Sequence, residues 1–265
     1  MKINNEIFRE IEKYAVAIAG THINSNNELD IDYSSQGSGV CILIGGRYFI
    51  ATAGHNIDKF NSGMKYIIIF PDVGNRGINI TNANSIINSN IDIGWIEINC
   101  NAAKLMKRSF LPIERFAPYS NGLNSSICLF GFPSNYTVIQ SSPPQFTCNG
   151  SIFDTTVMSN QQLIGITNQD RLHLNWNNNY NNNIHPYPKG LSGCGIWMIN
   201  NQTNDIASWS HNSIQLIGTD CAFTSLNGYQ CVIGVKIHKW LEILMKDNSE
   251  LKHLIEPMLN CTYIL

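Results

Sequence analysis

Short apolar segments recur along most of the chain, and polar stretches rich in Gly, Asn and Ser separate them. Short apolar or alternating segments bounded by such turn-forming residues are typical of β-strands. The pattern predicts strands at 14–18, 39–45, 48–53, 66–70, 91–98, 126–130, 163–167, 172–176, 195–199, 215–219 and 231–237. Many short strands without a longer internal repeat favour an all-β barrel or sandwich over a solenoid or propeller.

Helical periodicity is found only near the two ends of the chain. Residues 5–13 place Ile7, Phe8 and Ile11 on one side of a short helix. Beyond Gly234, apolar residues follow the spacing of an amphipathic helix that closes the fold. These residues are Ile237, Trp240, Leu241, Leu244 and Met245. A further short helix is predicted before Pro257, followed by an apolar tail.

The segment 102–122 lacks strand character and contains two prolines, which makes it the expected linker between two β units. The Asn-rich segment 177–183 is expected to be a surface loop. The domain prediction has four parts: an N-terminal helix at 1–13, a first β unit at 14–110, a second β unit at 111–236, and a C-terminal helix with its tail at 237–265.

Composition and charge exclude several classes of function. The chain has 265 residues, of which 43% are hydrophobic, enough for a packed interior. Its formal net charge of -2 provides no basic field for nucleic acid, so no nucleic-acid partner is expected. No apolar run approaches the ~18 residues of a membrane span, so no membrane partner is expected either. Charged residues near the N-terminus interrupt the apolar region that a signal peptide needs, which favours a cytoplasmic protein.

The eight cysteines form neither a C-x-x-C pair nor a cluster with His at zinc spacing, so no structural metal is predicted. Without an export signal, they are expected to be unpaired, buried thiols rather than disulfides.

Three local strings carry candidate chemistry. In the first, a strand leads into Thr52-Ala53-Gly54-His55. In the second, Asp92 is set among alternating apolar residues, where a buried carboxylate needs a partner. In the third, Ser192 lies between glycines in Gly190-Leu191-Ser192-Gly193. Each string alone is weak, since a His at a strand end or a Gly-x-Ser-Gly turn is common in ordinary proteins.

Together, and in the order His, Asp, Ser, the strings resemble the catalytic signatures of trypsin-like (chymotrypsin-fold) serine peptidases. The resemblance covers roughly residues 14–240. It implies two six-stranded antiparallel β-barrels with a C-terminal α-helix, the first barrel carrying His55 and Asp92 and the second carrying Ser192. It also implies no cofactor.

The resemblance assigns a role to each residue. Ser192 is the nucleophile, His55 its general base, and Asp92 fixes the imidazole tautomer. The backbone N–H groups of Gly190 and Ser192 form the oxyanion hole, where one donor typically contributes about 3 kcal/mol.

Two positions depart from the usual Gly-Asp-Ser-Gly-Gly sequence of that family. Leu191 replaces the Asp that accepts a newly formed N-terminal ammonium in exported digestive members, so activation by N-terminal trimming is not expected. Cys194 replaces the second Gly, and either fills an apolar gap or perturbs the loop.

The function predicted from the resemblance is a serine endopeptidase that cleaves a protein or peptide substrate through an acyl-enzyme on Ser192. A stand-alone, cytoplasmic domain of this kind resembles bacterial peptidases encoded beside antiviral immune effectors, which cut one specific protein and can answer to a regulatory protein partner. The alternative is a catalytically silent domain of the same fold that serves as a protein-binding module.

The substrate pocket is less determined. In the family, one pocket wall is a strand that the segment 216–221 matches, with an insertion between Asn200 and Ser213. This alignment directs Asp220 to the pocket, where it would favour Arg or Lys, unless its carboxylate pairs with nearby backbone N–H groups. A rival alignment without the insertion brings His211 there and favours acidic or neutral residues.

Overall fold

The computed structural model describes residues 5–23, 29–58, 65–69, 77–80, 83–117, 125–141, 144–159, 162–166, 169–176, 188–200 and 213–262. Most of them belong to strands. The strands are β1 Ala15–Ile23, β2 Leu29–Ile44, β3 Arg47–Ala53, β4 Lys65–Ile69, β5 Gly77–Asn79, β6 Asn84–Asn88, β7 Ile93–Ile98, β8 Leu111–Pro112, β9 Ser125–Gly131, β10 Thr137–Ser141, β11 Pro144–Cys148, β12 Ser151–Thr155, β13 Arg171–Asn175, β14 Gly195–Asn200, β15 Ile214–Leu226 and β16 Tyr229–Lys236. The helices are α1 Asn5–Glu12, α2 Gly54–Asp58, α3 Cys100–Met106, α4 Ile237–Asp247 and α5 Lys252–Thr262.

Two large sheets divide these strands. The first sheet has the order β5-β4-β1-β2-β3-β7-β6 with antiparallel neighbours, and the short β8 pairs with β2 in parallel. The second sheet has the order β12-β9-β14-β15-β16-β13, and it is antiparallel throughout. Strands β10 and β11 form a separate two-stranded sheet. The expectation of a mostly β protein with a C-terminal helix is therefore confirmed.

The outer strands of the second sheet approach each other. Just beyond β12, Val157 forms an antiparallel bridge to Leu174 in β13. Next to it, the N–H of Met158 donates to the carbonyl of His173 at 2.8 Å. The first and last strands of this sheet are thus joined along one stretch.

Two hairpins owe their tight turns to residues with positive φ. Gly45 and Gly46 connect β2 to β3, with φ values of 59° and 78°. Asn227 and Gly228 connect β15 to β16, with φ values of 51° and 82°. Two consecutive positive φ angles define the type I′ turn, whose twist matches that of the flanking strands.

The described residues form three apolar clusters. One is built mainly from side chains of the first sheet and includes Ile50 and Ile96. A second is built mainly from side chains of the second sheet and includes Leu172 and Ile196. The third and largest, the inter-sheet core, combines side chains from both sheets with those of α1, α4 and α5. The terminal helices therefore close the junction between the two sheets.

Most predicted strands are present, and the differences have local causes. Residues 162–165 form a turn instead of the predicted strand at 163–167. Strand β7 begins at Ile93, so the predicted strand at 91–98 starts two residues too early. The expected linker at 102–122 contains most of α3, whose start is capped by Asn99 accepting from the N–H of Ala102. Strands β5, β6, β8, β10, β11 and β12 were not predicted.

The C-terminal helix α5 continues through Pro257, contrary to the prediction that a helix ends before it. Ile255 and Leu259 on this helix are buried in the inter-sheet core. Their burial compensates for the hydrogen bond that proline removes. No helix in the described ranges has the length and apolar character needed to cross a bilayer. The predicted loop 177–183 lies outside the described residues.

Candidate active site

His55 and Asp92 lie side by side where two neighbouring strands of the first sheet, β3 and β7, reach the end of their pairing. Strands β3 and β7 are antiparallel, and their pairing ends with Ala53 opposite Ile93. The residues just outside this last pair, His55 at the start of α2 and Asp92 before β7, therefore emerge side by side. His55 Nδ1 lies 2.8 Å from Asp92 Oδ2, and the backbone N–H of His55 donates to Asp92 Oδ1 at 2.8 Å.

Asp92 adopts a left-handed conformation with φ of 55°, in a turn rather than in the strand that the sequence predicted. Asp tolerates this conformation better than most residues because of its short polar side chain. Burial raises the pKa of this carboxyl, but hydrogen bonds and charge from His55, together with the charge of Arg171, outweigh burial and lower its pKa. Asp92 is thus an anion oriented toward the imidazole.

The loop that carries Ser192, residues 190–194, is called the serine loop. It depends on two glycines with positive φ, Gly190 at 90° and Gly193 at 88°. A Cβ on Gly190 would come within 2.7 Å of the Phe132 carbonyl oxygen, and one on Gly193 within 2.2 Å of the Ser38 carbonyl oxygen. Only glycine fits these positions. Gly193 therefore allows the serine loop to contact the first sheet directly.

The backbone amides of the serine loop fall into two groups. The N–H groups of Leu191, Gly193 and Cys194 donate to the carbonyls of Pro188, Asp220 and Leu191, respectively. Those of Gly190 and Ser192 donate no hydrogen bond within the described part of the chain. The two unpaired donors are the two that the resemblance assigns to the oxyanion hole.

Ser192 is tied to the histidine segment through its backbone. Its carbonyl accepts from Ser38 N–H at 2.8 Å and from Asn56 Nδ2 at 2.7 Å, and Asn56 directly follows His55. Both Ser192 and His55 are described, yet no hydrogen bond joins Ser192 Oγ to the imidazole.

Leu191 and Cys194, the two departures from the family sequence, are fully buried in the cluster built mainly from the second sheet. Burial raises the pKa of the Cys194 thiol well above its usual value. Cys194 thus acts as a small apolar residue that fills space behind the loop.

The seven cysteines whose side chains are described form no disulfide, as predicted: Cys41, Cys100, Cys128, Cys148, Cys194, Cys221 and Cys231. Cys100 is exposed, so the expectation of burial is wrong there. The side chain of Cys261 lies outside the described residues. No cluster of three or more His, Cys, Asp or Glu side chains among the described residues is arranged to hold a metal ion.

No protein-family model matches this chain. No curated protein matches it either.

Asp220 lies in β15, directly beside the serine loop, because the N–H of Gly193 donates to its carbonyl at 2.7 Å. Its side chain is buried, and Oδ1 has no hydrogen-bond partner. The backbone N–H groups of Ala222 and Cys221 hydrogen-bond to the carboxylate, the alternative that the sequence left open. Burial outweighs these bonds and, with the charge of Asp92, raises the pKa of Asp220 to about 8. His211 lies outside the described residues.

Sequence reasoning missed several residues that hold the site together. Ser38, fully buried, donates from Oγ to the Gly190 carbonyl at 2.8 Å and accepts from the N–H of Phe132 at 2.9 Å. The charge of Arg171 helps to lower the pKa of Asp92, and its guanidinium donates to Cys221 Sγ at 2.7 Å. Neither residue belongs to a recognisable string, since their roles arise from contacts between distant segments.

Proposed function

We propose that this protein is a serine endopeptidase, with His55, Asp92 and Ser192 as its catalytic triad. The main support is one arrangement: the imidazole of His55 is oriented by Asp92, and the residue after His55 hydrogen-bonds the carbonyl of Ser192. Acyl transfer requires a general base close to a hydroxyl nucleophile, and here hydrogen bonds hold together the segments that carry these two groups.

The proposed reaction has two halves. Ser192 Oγ attacks the carbonyl carbon of the scissile peptide while its proton moves to His55 Nε2, and the oxyanion that forms accepts hydrogen bonds from the N–H groups of Gly190 and Ser192. His55 then protonates the leaving amine, which departs and leaves an ester on Ser192. Water, deprotonated by His55, hydrolyses that ester and regenerates the serine.

We also propose that each large sheet closes into a barrel, with the substrate bound between the two. The bridge between Val157 and Leu174 supports closure of the second sheet. For the first sheet, the support is the short connection between β5 and β6, its two outer strands, where Ala83 N–H donates to the Ile80 carbonyl at 2.9 Å. The substrate class that fits a partly exposed site of this kind is a protein or peptide.

Labelling with a fluorophosphonate probe tests the proposed function. The probe forms a covalent bond only with an activated serine, so we expect one adduct, located on Ser192 by peptide mass spectrometry. Labelling is expected to be absent in Ser192→Ala, with the melting temperature unchanged. An adduct on another serine, or turnover in Ser192→Ala equal to that of the wild type, would refute the assignment.

A catalytically silent binding module is the second candidate function. One observation favours it: Ser192 Oγ and His55 form no hydrogen bond in the structure. A silent module would leave the probe unreacted while retaining its fold and its affinity for a partner protein. The labelling experiment therefore separates the two candidates without knowledge of the natural substrate.

The preference for Arg or Lys at the cleavage site depends on whether Asp220 is ionised. Below pH 8 its raised pKa keeps most of the carboxyl protonated, and above pH 8 it becomes an anion. If Asp220 faces the pocket, cleavage after Arg relative to the uncharged isostere citrulline should rise about tenfold between pH 7 and pH 9, because hydrogen bonds to charged groups contribute on the order of 1.5 kcal/mol.

Peptide pairs that differ only at this position measure the ratio. Asp220→Asn should remove its pH dependence. A flat ratio in the wild type would contradict the pocket assignment, and selectivity for acidic residues that disappears in His211→Ala would favour the rival alignment.

A further inference from the structure

We propose that Asn56 is a positioning residue that fixes the serine loop relative to the general base, His55. This proposal rests on the proposed function. The Asn56 side chain is only 2% exposed, and it uses both hydrogens of Nδ2. One is donated to the Ser192 carbonyl at 2.7 Å and the other to Thr52 Oγ1 at 2.9 Å.

These contacts belong to a closed ring of hydrogen bonds, which we call the serine clamp: Asn56, Thr52, Ser38 and the Ser192 carbonyl. Thr52 Oγ1, which accepts from Asn56, donates to the Ser38 carbonyl at 2.7 Å. The N–H of Ser38 donates to the Ser192 carbonyl at 2.8 Å, which closes the ring. Two residues, Asn56 and Ser38, thus donate to one backbone atom of the serine loop, and Thr52 links these two residues to each other.

Two glycines provide the space for the serine clamp. A Cβ on Gly37 would lie 2.3 Å from Asn56 Nδ2, and a Cβ on Gly193 would lie 2.2 Å from Thr52 Oγ1. No other residue type could occupy these positions without displacing the amide or the hydroxyl. Gly37 therefore leaves room for the amide of Asn56, and Gly193 leaves room for the hydroxyl of Thr52.

The clamp acts on the peptide unit that follows Ser192. Its carbonyl is held by Asn56 and Ser38, and its N–H, on Gly193, donates to the Asp220 carbonyl at 2.7 Å. Because both ends of this peptide plane are fixed, the direction in which Ser192 presents its side chain and its own N–H is also fixed. Asn56 lies in the same short helix as His55, so one element carries both the base and the clamp.

Asn56→Ala tests the role of the amide. We expect kcat and the rate of fluorophosphonate labelling to fall about 100-fold, because small misplacement of reacting groups has effects of this size, while KM changes little. Asn248→Ala is the matched control. Asn248 is also buried and donates to the Leu244 carbonyl, but it is far from the site along the chain and caps the end of helix α4, so its loss should lower stability without changing kcat.

A second pair of variants covers the case in which Asn56→Ala does not fold. Thr52→Val keeps the shape of the side chain but removes the hydroxyl that orients Asn56, and it should reproduce the loss of kcat. Thr52→Ser keeps the hydroxyl and should recover most of what Thr52→Val loses. Equal kcat in Thr52→Val and Thr52→Ser, or wild-type labelling in folded Asn56→Ala, would overturn the proposal.

Hydrogen exchange separates failure of this proposal from failure of the proposed function. If the wild type is never labelled, the peptidase assignment fails, but the clamp still predicts faster amide exchange at residues 190–194 in Asn56→Ala than in Asn248→Ala. Unchanged exchange in this loop would show that Asn56 does not hold it, whatever the protein's activity.

Discussion

Asp92→Asn is expected to lower kcat about 10⁴-fold at neutral pH while leaving the fold intact. Asn tolerates the left-handed backbone as Asp does, and its Oδ1 can still accept from the His55 N–H. The amide nitrogen then faces His55 Nδ1 in place of Oδ2 and donates to it. This forces the imidazole proton onto Nε2, the atom that must accept the proton of Ser192.

Steady-state kinetics with a peptide substrate measure this effect, and circular dichroism with a thermal melt verifies folding. Ser192→Ala gives the floor of residual activity. If Asp92→Asn retains a kcat within tenfold of the wild type, Asp92 does not set the imidazole tautomer, and the triad assignment is wrong.

Gly193→Ala is expected to destabilise the protein by about 4 kcal/mol or more, because its Cβ would overlap the backbone of Ser38 and the hydroxyl of Thr52. Gly46 is the matched control. It also has a positive φ, 78° against 88°, but nothing lies within 4 Å of a Cβ added there. Gly46→Ala should therefore cost only the backbone strain, about 1 kcal/mol.

Denaturant unfolding of both variants measures the difference. The difference between the two losses in unfolding free energy gives the effect of the contact between the serine loop and the first sheet, because the backbone strain of a non-glycine residue at positive φ is common to both variants. Equal destabilisation by the two substitutions would mean that the serine loop does not pack against β3 and β2 as described.

The strands and the terminal helices could be predicted from the sequence because burial imposes a regular pattern on local segments. Strands β3 and β14 and helix α4 illustrate this, since their apolar residues are contiguous or follow one period. Strand β12 was missed because only Phe153 of its five residues is buried, so it has no apolar run. The strand predicted at 163–167 has apolar residues but forms a turn.

Some residues of the candidate site could likewise be predicted from local sequence, and others could not. His55, Asp92 and Ser192 could be selected because their three local strings occur together and in the order His, Asp, Ser. Ser38, Thr52 and Asn56 could not be assigned their contacts, since these depend on how β2, β3 and α2 meet the loop before β14. The left-handed turn at Asp92 was also missed, because the alternating residues around it suggest a strand that begins earlier.

The inter-sheet core gives the molecule a further property. Each sheet has its own apolar cluster, but the largest cluster is shared between the two sheets and the terminal helices. If the chain were cut between the two sheets, each fragment would expose its part of this apolar surface to water. Burial of that surface would favour reassociation of the fragments. The base would come from one fragment and the nucleophile from the other. Recovery of hydrolysis on mixing would therefore report that the fragments have joined, as in a fragment-complementation assay.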